Sequence, residues 1–392
     1  MIPRLLTEQA QRSATWFPIV SVTGPRQSGK STLVENAFAD YTYLNLEDLE
    51  LRNQANVDPI SFVRNRSTHL IIDEAQYAPD LFSVLQVASD KTKQPGQFIL
   101  SGSQNFLLLK QIKQSLAGRV GVLKLLPLSY AEALTAHPEL TIEEFILDGG
   151  YPHLHAAHIP RSIFFESYLN SYIERDVTDY LDVRNLTTFR TFLRLCAQHV
   201  GGLIKATSLA NELGATYRTV KSWMSILESS YITFSLPPYF GNLSKRLTKT
   251  PKLYFHDTGL LCYLLRIETV QDLQEHPLFG EIIENLVISE TVKRYYNALK
   301  TPELYFYRDD SKIEVDLIDC THSQTKPELI EIKSGRMYHD RFARHLRSVG
   351  TLLNVPETNR TVAMRIDSPY TDHGINVCPI RNLLLRGEPP VA

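Results

Sequence analysis

The 392-residue chain carries little sulfur and almost no net charge: four cysteines, four methionines, and 41 Lys+Arg against 43 Asp+Glu for a formal −2. Cys196, Cys262, Cys320 and Cys378 stand far apart, so no short Cys-x-x-Cys spacing signals a zinc knuckle or a redox pair. They read as small buried apolar residues in a reducing compartment. No apolar run reaches the length of a membrane span, roughly 18 residues. The opening MIPRLLTEQAQRSATW is broken by Arg4, Glu8 and Arg12, which fits neither a signal peptide nor a transmembrane helix. A cytoplasmic setting with no membrane partner is therefore expected. The near-zero charge excludes a general positive coat of the kind that blankets nucleic acid, but it leaves room for a local patch.

Hydrophobic residues make up 43% and charged residues 21%, the balance of an ordinary folded protein, and the length suits two or three domains. No internal repeat, low-complexity tract or flexible linker stands out, so the domains are expected to pack directly on one another. Over residues 1–150, FPIVSVTG, YTYLNLED, HLIIDEA, GQFILSGS and GVLKLLPLS read as strands alternating with amphipathic helices. That is the pattern of an α/β domain with a mostly parallel sheet. From about 160 to 200 the three- and four-residue spacing of apolar residues predicts helices.

The densest chemistry lies at Gly24-Pro25-Arg26-Gln27-Ser28-Gly29-Lys30-Ser31, followed by Thr32, a full match to the phosphate-binding pattern G-x-x-x-x-G-K-[ST] between a strand and a helix. Glycines let the backbone N–H groups turn inward on phosphate oxygens, and the helix N-terminus adds its positive end. Lys30 is expected to reach the β- and γ-phosphates of ATP, and the Ser31 hydroxyl to ligate Mg²⁺. His69-Leu70-Ile71-Ile72-Asp73-Glu74 is a buried-strand run ending in two carboxylates: Asp73 to hold Mg²⁺, Glu74 to activate the attacking water. In FILSGSQN, Ser103 is the candidate sensor of the γ-phosphate, with Ser101 close behind. Arg119 in SLAGRV is the candidate arginine finger, acting in its own subunit or a neighbour's, and so points to a homo-oligomer.

Residues 207–231 have helix-turn-helix grammar, with Gly214 in the turn. Leu209, Leu213, Val220, Trp223, Met224 and Leu227 can share an inner face, which leaves Tyr217, Arg218, Lys221 and Ser222 outward. Between 201 and 266 eight Lys+Arg face three Asp+Glu. Lys245, Arg246, Lys249 and Lys252 supply half of that positive charge and are candidate contacts to DNA phosphates.

Further on, strand periodicity places Glu314 and Asp316 on one face of IEVDLID with Ile313, Val315 and Leu317 on the other. In LIEIKSG it places Glu331 and Lys333 opposite Ile330 and Ile332. If the strands are neighbours, Asp316, Glu331 and Lys333 converge as D-x(14)-E-x-K, the constellation of restriction-type nucleases, and Glu284 on the preceding helix adds a carboxylate for Mg²⁺.

GPRQSGKST, LIIDEAQ, LSGSQN and SLAGRV followed by LLPLSYAEAL resemble prokaryotic AAA-type ATPases, in the branch related to signal-transducing and archaeal ATPases. GGYP (149–152), LPPYFGNLSKRLTKTPKLYFHDTGLLCYLL and FYRDDSKIEVDL resemble the C-terminal domain of unknown function that accompanies them. The resemblance implies an AAA-type ATPase domain over 1–140, a helical linker or lid over 141–200, a winged helix over 201–266 and a restriction-endonuclease-like domain over 275–392. The expected function is ATP hydrolysis, with a nucleotide state that controls how the C-terminal half engages DNA. An ATP-dependent switch on a protein partner and a DNA-binding regulator with little catalysis stay open beside it.

Overall fold

The structure is a computed structural model that describes residues 2–66, 69–102, 116–157, 159–172, 186–239 and 249–387. Its first third is a five-stranded sheet built from β1 (Ile19–Thr23), β2 (Thr42–Asn45), β3 (Leu70–Asp73), β4 (Phe98–Gly102) and β5 (Val120–Lys124), in the order β2-β3-β4-β1-β5 with every pair parallel. All five strands fall on the runs expected from sequence. Both faces of the sheet are covered, which is why β1, β3 and β4 are buried from end to end. On one face lie α1 (Leu6–Trp16) and α2 (Lys30–Ala37); on the other, α3 (Leu49–Val57), α4 (Pro59–Arg64) and α5 (Leu81–Thr92). Helix starts follow their caps: Asp48 accepts from Glu50 and Leu51 N–H before α3, and Asp58 with Pro59 opens α4.

A helical middle follows: α6 (Tyr130–Ala136), α7 (Ile142–Asp148), α8 (Pro152–Ala156), α9 (Arg161–Tyr172) and α10 (Leu186–Gln198). Ser129 with Glu132 and Thr141 with Glu144 form capping boxes at α6 and α7. Then come α11 (Ala206–Leu213), a turn at Gly214 with φ +61°, and α12 (Tyr217–Ser229). The antiparallel hairpin β6 (Thr233–Leu236) and β7 (Lys252–Phe255) follows, and a bridge from Leu203 adds to β7. Beyond Leu236 the chain runs along the C-terminal sheet, with Tyr239 N–H donating to Phe306 O at 2.7 Å.

Helices α13 (Thr258–Leu265), α14 (Val270–Glu275) and α15 (Phe279–Asn297) lead into a six-stranded mixed sheet. Its strands are β8 (Leu304–Arg308), β9 (Glu314–Asp319), β10 (Glu328–Lys333), β11 (Arg360–Met364), β12 (Tyr370–Asp372) and β13 (Ile375–Pro379), in the order β12-β13-β11-β10-β9-β8. Helix α16 (Arg344–Leu352) covers one face; α15 and α17 (Ile380–Leu384) cover the other. A register shift between β8 and β9, between Tyr305 and Tyr307, corrects one expectation. Val315 and Leu317 do not share a face: Val315 joins the core under α16 and Leu317 the core under α15. Such bulges re-aim the side chains beside them.

One apolar core runs without a break from Leu126 and Tyr130 through the middle helices to Ile330, Ala363 and Leu384. Polar ties reinforce it. Asp257 caps α13 through Leu260 N–H and also accepts Gly150 N–H at 2.7 Å, while Gly150 O accepts Leu128 N–H at 2.6 Å. Cβ atoms at Gly149 and Gly150 would lie 2.4 Å from Asp257 Oδ1 and 2.2 Å from Leu128 O, so the glycine pair is what lets the two segments interlock.

Candidate nucleotide site and an acidic cluster in the C-terminal half

The loop Gly24–Thr32 leaves the C-terminal end of β1, where open parallel sheets place their ligands. Its curl is set by sterics. A Cβ at Gly24 would sit 2.0 Å from Leu125 O, Gln27 has φ +59°, and Gly29 has φ +90° as the residue that starts α2. Lys30 is folded inside the loop, 6% exposed, with Nζ donating to Pro25 O at 2.8 Å. Ser28 Oγ is buried without a hydrogen-bond partner, while Arg26 is half-buried and Gln27 and Thr32 are exposed. Ser31 Oγ donates to Asp73 Oδ2 at 2.6 Å. Asp73, 2% exposed at the end of β3, also accepts from Tyr43 OH at 2.7 Å and Ser101 Oγ at 2.5 Å. Burial first, and then this bond to Asp73, pushes the Tyr43 hydroxyl far up, so it remains a donor. Glu74 follows in a left-handed conformation, φ +53°, and its carboxylate accepts from the Gln76 side-chain amide. A backbone cradle, an inward lysine, an orphaned buried hydroxyl and a hydroxyl–carboxylate pair form a donor set that fits a nucleotide phosphate with Mg²⁺.

Sequence reasoning missed Arg4. Its guanidinium donates to Ser28 O and to Leu126 O, each at 2.6 Å, and pairs with Glu132 Oε1 at 3.0 Å, so it ties the loop to the start of α6. Ser103 lies outside the described residues; Ser101, the alternative, bonds Asp73. Arg119 is corrected as a finger on its own subunit's phosphates. Ile19 N–H donates to Arg119 O at the N-terminal end of the parallel β1/β5 pair, whereas the loop leaves the other end. Five residues of strand separate them, roughly 15 Å at about 3.3 Å per residue. The Arg119 side chain pairs instead with Asp90, at 2.5 Å.

Glu284 on α15, Asp316 on β9 and Glu331 with Lys333 on β10 are brought into one cluster. Lys333 Nζ lies 2.6 Å from Glu331 Oε1 and 3.6 Å from Asp316 Oδ2, and Asp316 Oδ2 accepts Ile332 N–H at 2.8 Å. Lys252 enters the same cluster. At 3% exposed it is buried, not a surface contact for DNA, and its Nζ lies 2.9 Å from Glu284 and 2.6 Å from Glu314. Burial alone would lower the Lys252 ammonium, but Glu284, Asp316 and Glu314 outweigh it and hold the group charged. Burial and then Asp316 push the Glu284 and Glu331 carboxyls upward, while Lys252 and Lys333 respectively oppose this. Lys252 was missed because a lysine in a basic stretch reads as solvated.

Three stretches of the chain match known protein families. Residues 17–134 match the AAA domain family, 139–271 a domain of unknown function (DUF8612) and 279–383 another (DUF4143). An uncharacterized protein of Mycobacterium tuberculosis is 31% identical over 307 residues, which span 76% of this chain and 67% of that protein. The chain belongs to that family. An uncharacterized protein of Methanocaldococcus jannaschii is 26% identical over 76% of this chain and 71% of its own length. Among solved structures, the Walker-type ATPase of Pyrococcus abyssi aligns with a TM-score of 0.46 at 15% identity, covering 68% of this chain and 96% of that one.

Outside the AAA domain, the remaining basic candidates divide. Arg218, Lys221 and Lys249 are exposed, with Lys221 6.0 Å from the centre of the Tyr217 ring; Ser222 is half-buried. Lys245 and Arg246 lie outside the described residues. Cys196, Cys262 and Cys320 are buried free thiols, and no helix among the described residues is long and apolar enough to cross a membrane.

Proposed function

We propose that the AAA domain binds and hydrolyses ATP with Mg²⁺. Gly24–Thr32 cradle the phosphates, Lys30 reaches the β- and γ-oxygens, Ser31 and Asp73 hold the metal, and Glu74 takes the proton of the attacking water. Bound Mg²⁺ supplies charge neutralisation at the β- and γ-phosphate oxygens. The carrying observation is the 2.6 Å bond between Ser31 Oγ and Asp73 Oδ2 beside an inward Lys30. Phosphate release by the purified protein tests it: Lys30→Ala is expected to abolish turnover and Glu74→Gln to retain ATP without hydrolysis. Turnover unchanged in both variants would falsify the reading.

The rest of the chain we read as a helical connector over 141–200, a winged helix over 201–266 and a restriction-endonuclease-like unit over 275–392, in a cytoplasmic protein. The order α10, Leu203 bridge, α11, α12, hairpin supports the winged helix. Exposed Arg218, Lys221 and Lys249 support phosphate contact, with DNA engagement set by nucleotide state. A second reading has its own observation. Lys252 and Lys333 already neutralise the acids, and among the described residues Glu284, Asp316 and Glu331 do not all three bring an oxygen within 4.8 Å of the others, as Asp340, Asp372 and the His373 ring do. That arrangement favours a scaffold, and with it an ATP-dependent switch on a partner. DNA incubated with Mg²⁺ or Mn²⁺ separates the two: cleavage lost in Asp316→Ala rejects the scaffold.

A further inference from the structure

Helices α9, α10 and α13 line an open cleft of about 560 Å³ that shares no lining residue with either site. Four guanidinium groups line it: Arg161 on α9, Arg190 and Arg194 one turn apart on α10, and Arg266 just past the end of α13. Its aromatic wall is the half-buried Tyr263, which packs on the buried Phe165 ring with centres 5.7 Å apart. Two of the arginines have acid partners, since Arg161 pairs with Asp148 at 3.4 Å and Arg190 with Glu166 at 3.8 Å. Glu166 is further committed to the Tyr263 hydroxyl, which, ahead of Arg190 and Arg194, holds its carboxyl below the usual range. Among the described residues, the guanidinium groups of Arg194 and Arg266 make no ion pair or hydrogen bond, and Glu268, also on the wall, is paired with neither. Four arginines against two glutamates leave the cleft an excess of positive charge, which suits an anion, and the planar fork of arginine matches phosphate oxygens two at a time. The volume lies in the range of small-molecule sites, about 300–1,000 Å³, and such sites combine apolar walls with a few polar anchors.

We propose that this cleft binds a phosphomonoester of a small planar molecule: the phosphate on Arg194 and Arg266, the planar body against the half-buried Tyr263 ring. The site stands apart from the ATPase reading, and its test is made independent of the P-loop by working in the Lys30→Ala protein. Isothermal titration with phenyl phosphate and with thymidine 5′-monophosphate reads the site, and thymidine is the neutral control. Saturable binding of either phosphate, about tenfold weaker in Arg194→Gln and in Arg266→Gln and absent for thymidine, is expected. Both arginines are exposed, so unchanged thermal unfolding of the variants certifies their folds. Tighter binding of the thymidine ester than of the phenyl ester assigns a nucleotide; the reverse assigns another aromatic ester. No saturable heat from either phosphate at millimolar concentration, or equal affinity in the arginine variants, overturns the proposal.

Discussion

The P-loop site and the C-terminal cluster use the same vocabulary, acids and lysines, and arrange it in opposite ways. In the AAA domain the backbone does the placing: Gly24 leaves room for Leu125 O, and Gln27 and Gly29 take left-handed conformations. Asp73 there is met by three hydroxyls. In the C-terminal cluster the placing is done by side chains from β7, α15, β9 and β10, and the carboxylates are met by ammonium groups. Hydroxyls leave a carboxylate its full charge for a divalent cation, whereas a buried lysine cancels it. A constellation of the right residue types is thus not a site until its charge balance is known.

The largest effects separate the two regions most sharply. Gly24→Ala is expected to bring ATP turnover to background, because its Cβ would lie 2.0 Å from a backbone oxygen that cannot swing away. Glu74→Gln is expected to cost about 10²- to 10⁴-fold in turnover while ATP binding, read by equilibrium dialysis, stays within a few-fold. None of the C-terminal variants should change turnover as much. Asp316→Asn with turnover as low as that of Glu74→Gln would erase the distinction.

Lys252→Ala tests the other side. Removing one member of a buried ion pair strands the remaining charges, so a loss of roughly 3–5 kcal/mol in urea unfolding is expected. The double variant Lys252→Met with Glu284→Gln should recover part of it. A single-variant loss below the error of the measurement would mean that the cluster is solvated and open to a metal.

Legibility followed the same divide. The five strands of the AAA domain were readable because central parallel strands are continuous apolar runs, and the loop was readable because its geometry demands particular residue types at fixed spacing. Arg4 was not, since its partners Ser28, Leu126 and Glu132 are brought to it by the fold. Glu284, Asp316, Glu331 and Lys333 were found from strand period and element order. The arrival of Lys252 from the hairpin was hidden, because nothing local distinguishes a buried lysine from a solvated one. The register shift in β9 was hidden for a like reason: it arises from pairing with β8.

A smaller effect concerns pH. His256 is buried just past the end of β7, its ring tilted against that of Phe234 with centres 4.6 Å apart; burial first, then Lys293 and Lys124, lowers its pKa to about 3. Between that value and about 6.5 the unfolded chain binds a proton that the folded chain excludes. This contribution to stability is therefore complete above pH 6.5 and is lost as pH falls towards 3. His256→Phe should keep the ring packing and flatten the acid limb of the stability curve over that window, by a few kcal/mol at its foot. An acid limb identical in the variant would place the titrating groups elsewhere, with the carboxylates.

The smallest expected effect lies at Arg119. Its pairing with Asp90 is on the surface and distant from the loop of its own chain, so Arg119→Ala should leave stability and the turnover of dilute protein unchanged. An arginine serving a neighbour's phosphate behaves otherwise: turnover per chain would rise with protein concentration, and Arg119→Ala would remove that rise while leaving the dilute rate intact. Measuring turnover across a concentration series in both proteins, beside their sedimentation, therefore decides whether the AAA domain is completed by a second copy. A rise that persists in Arg119→Ala would assign the finger to another arginine.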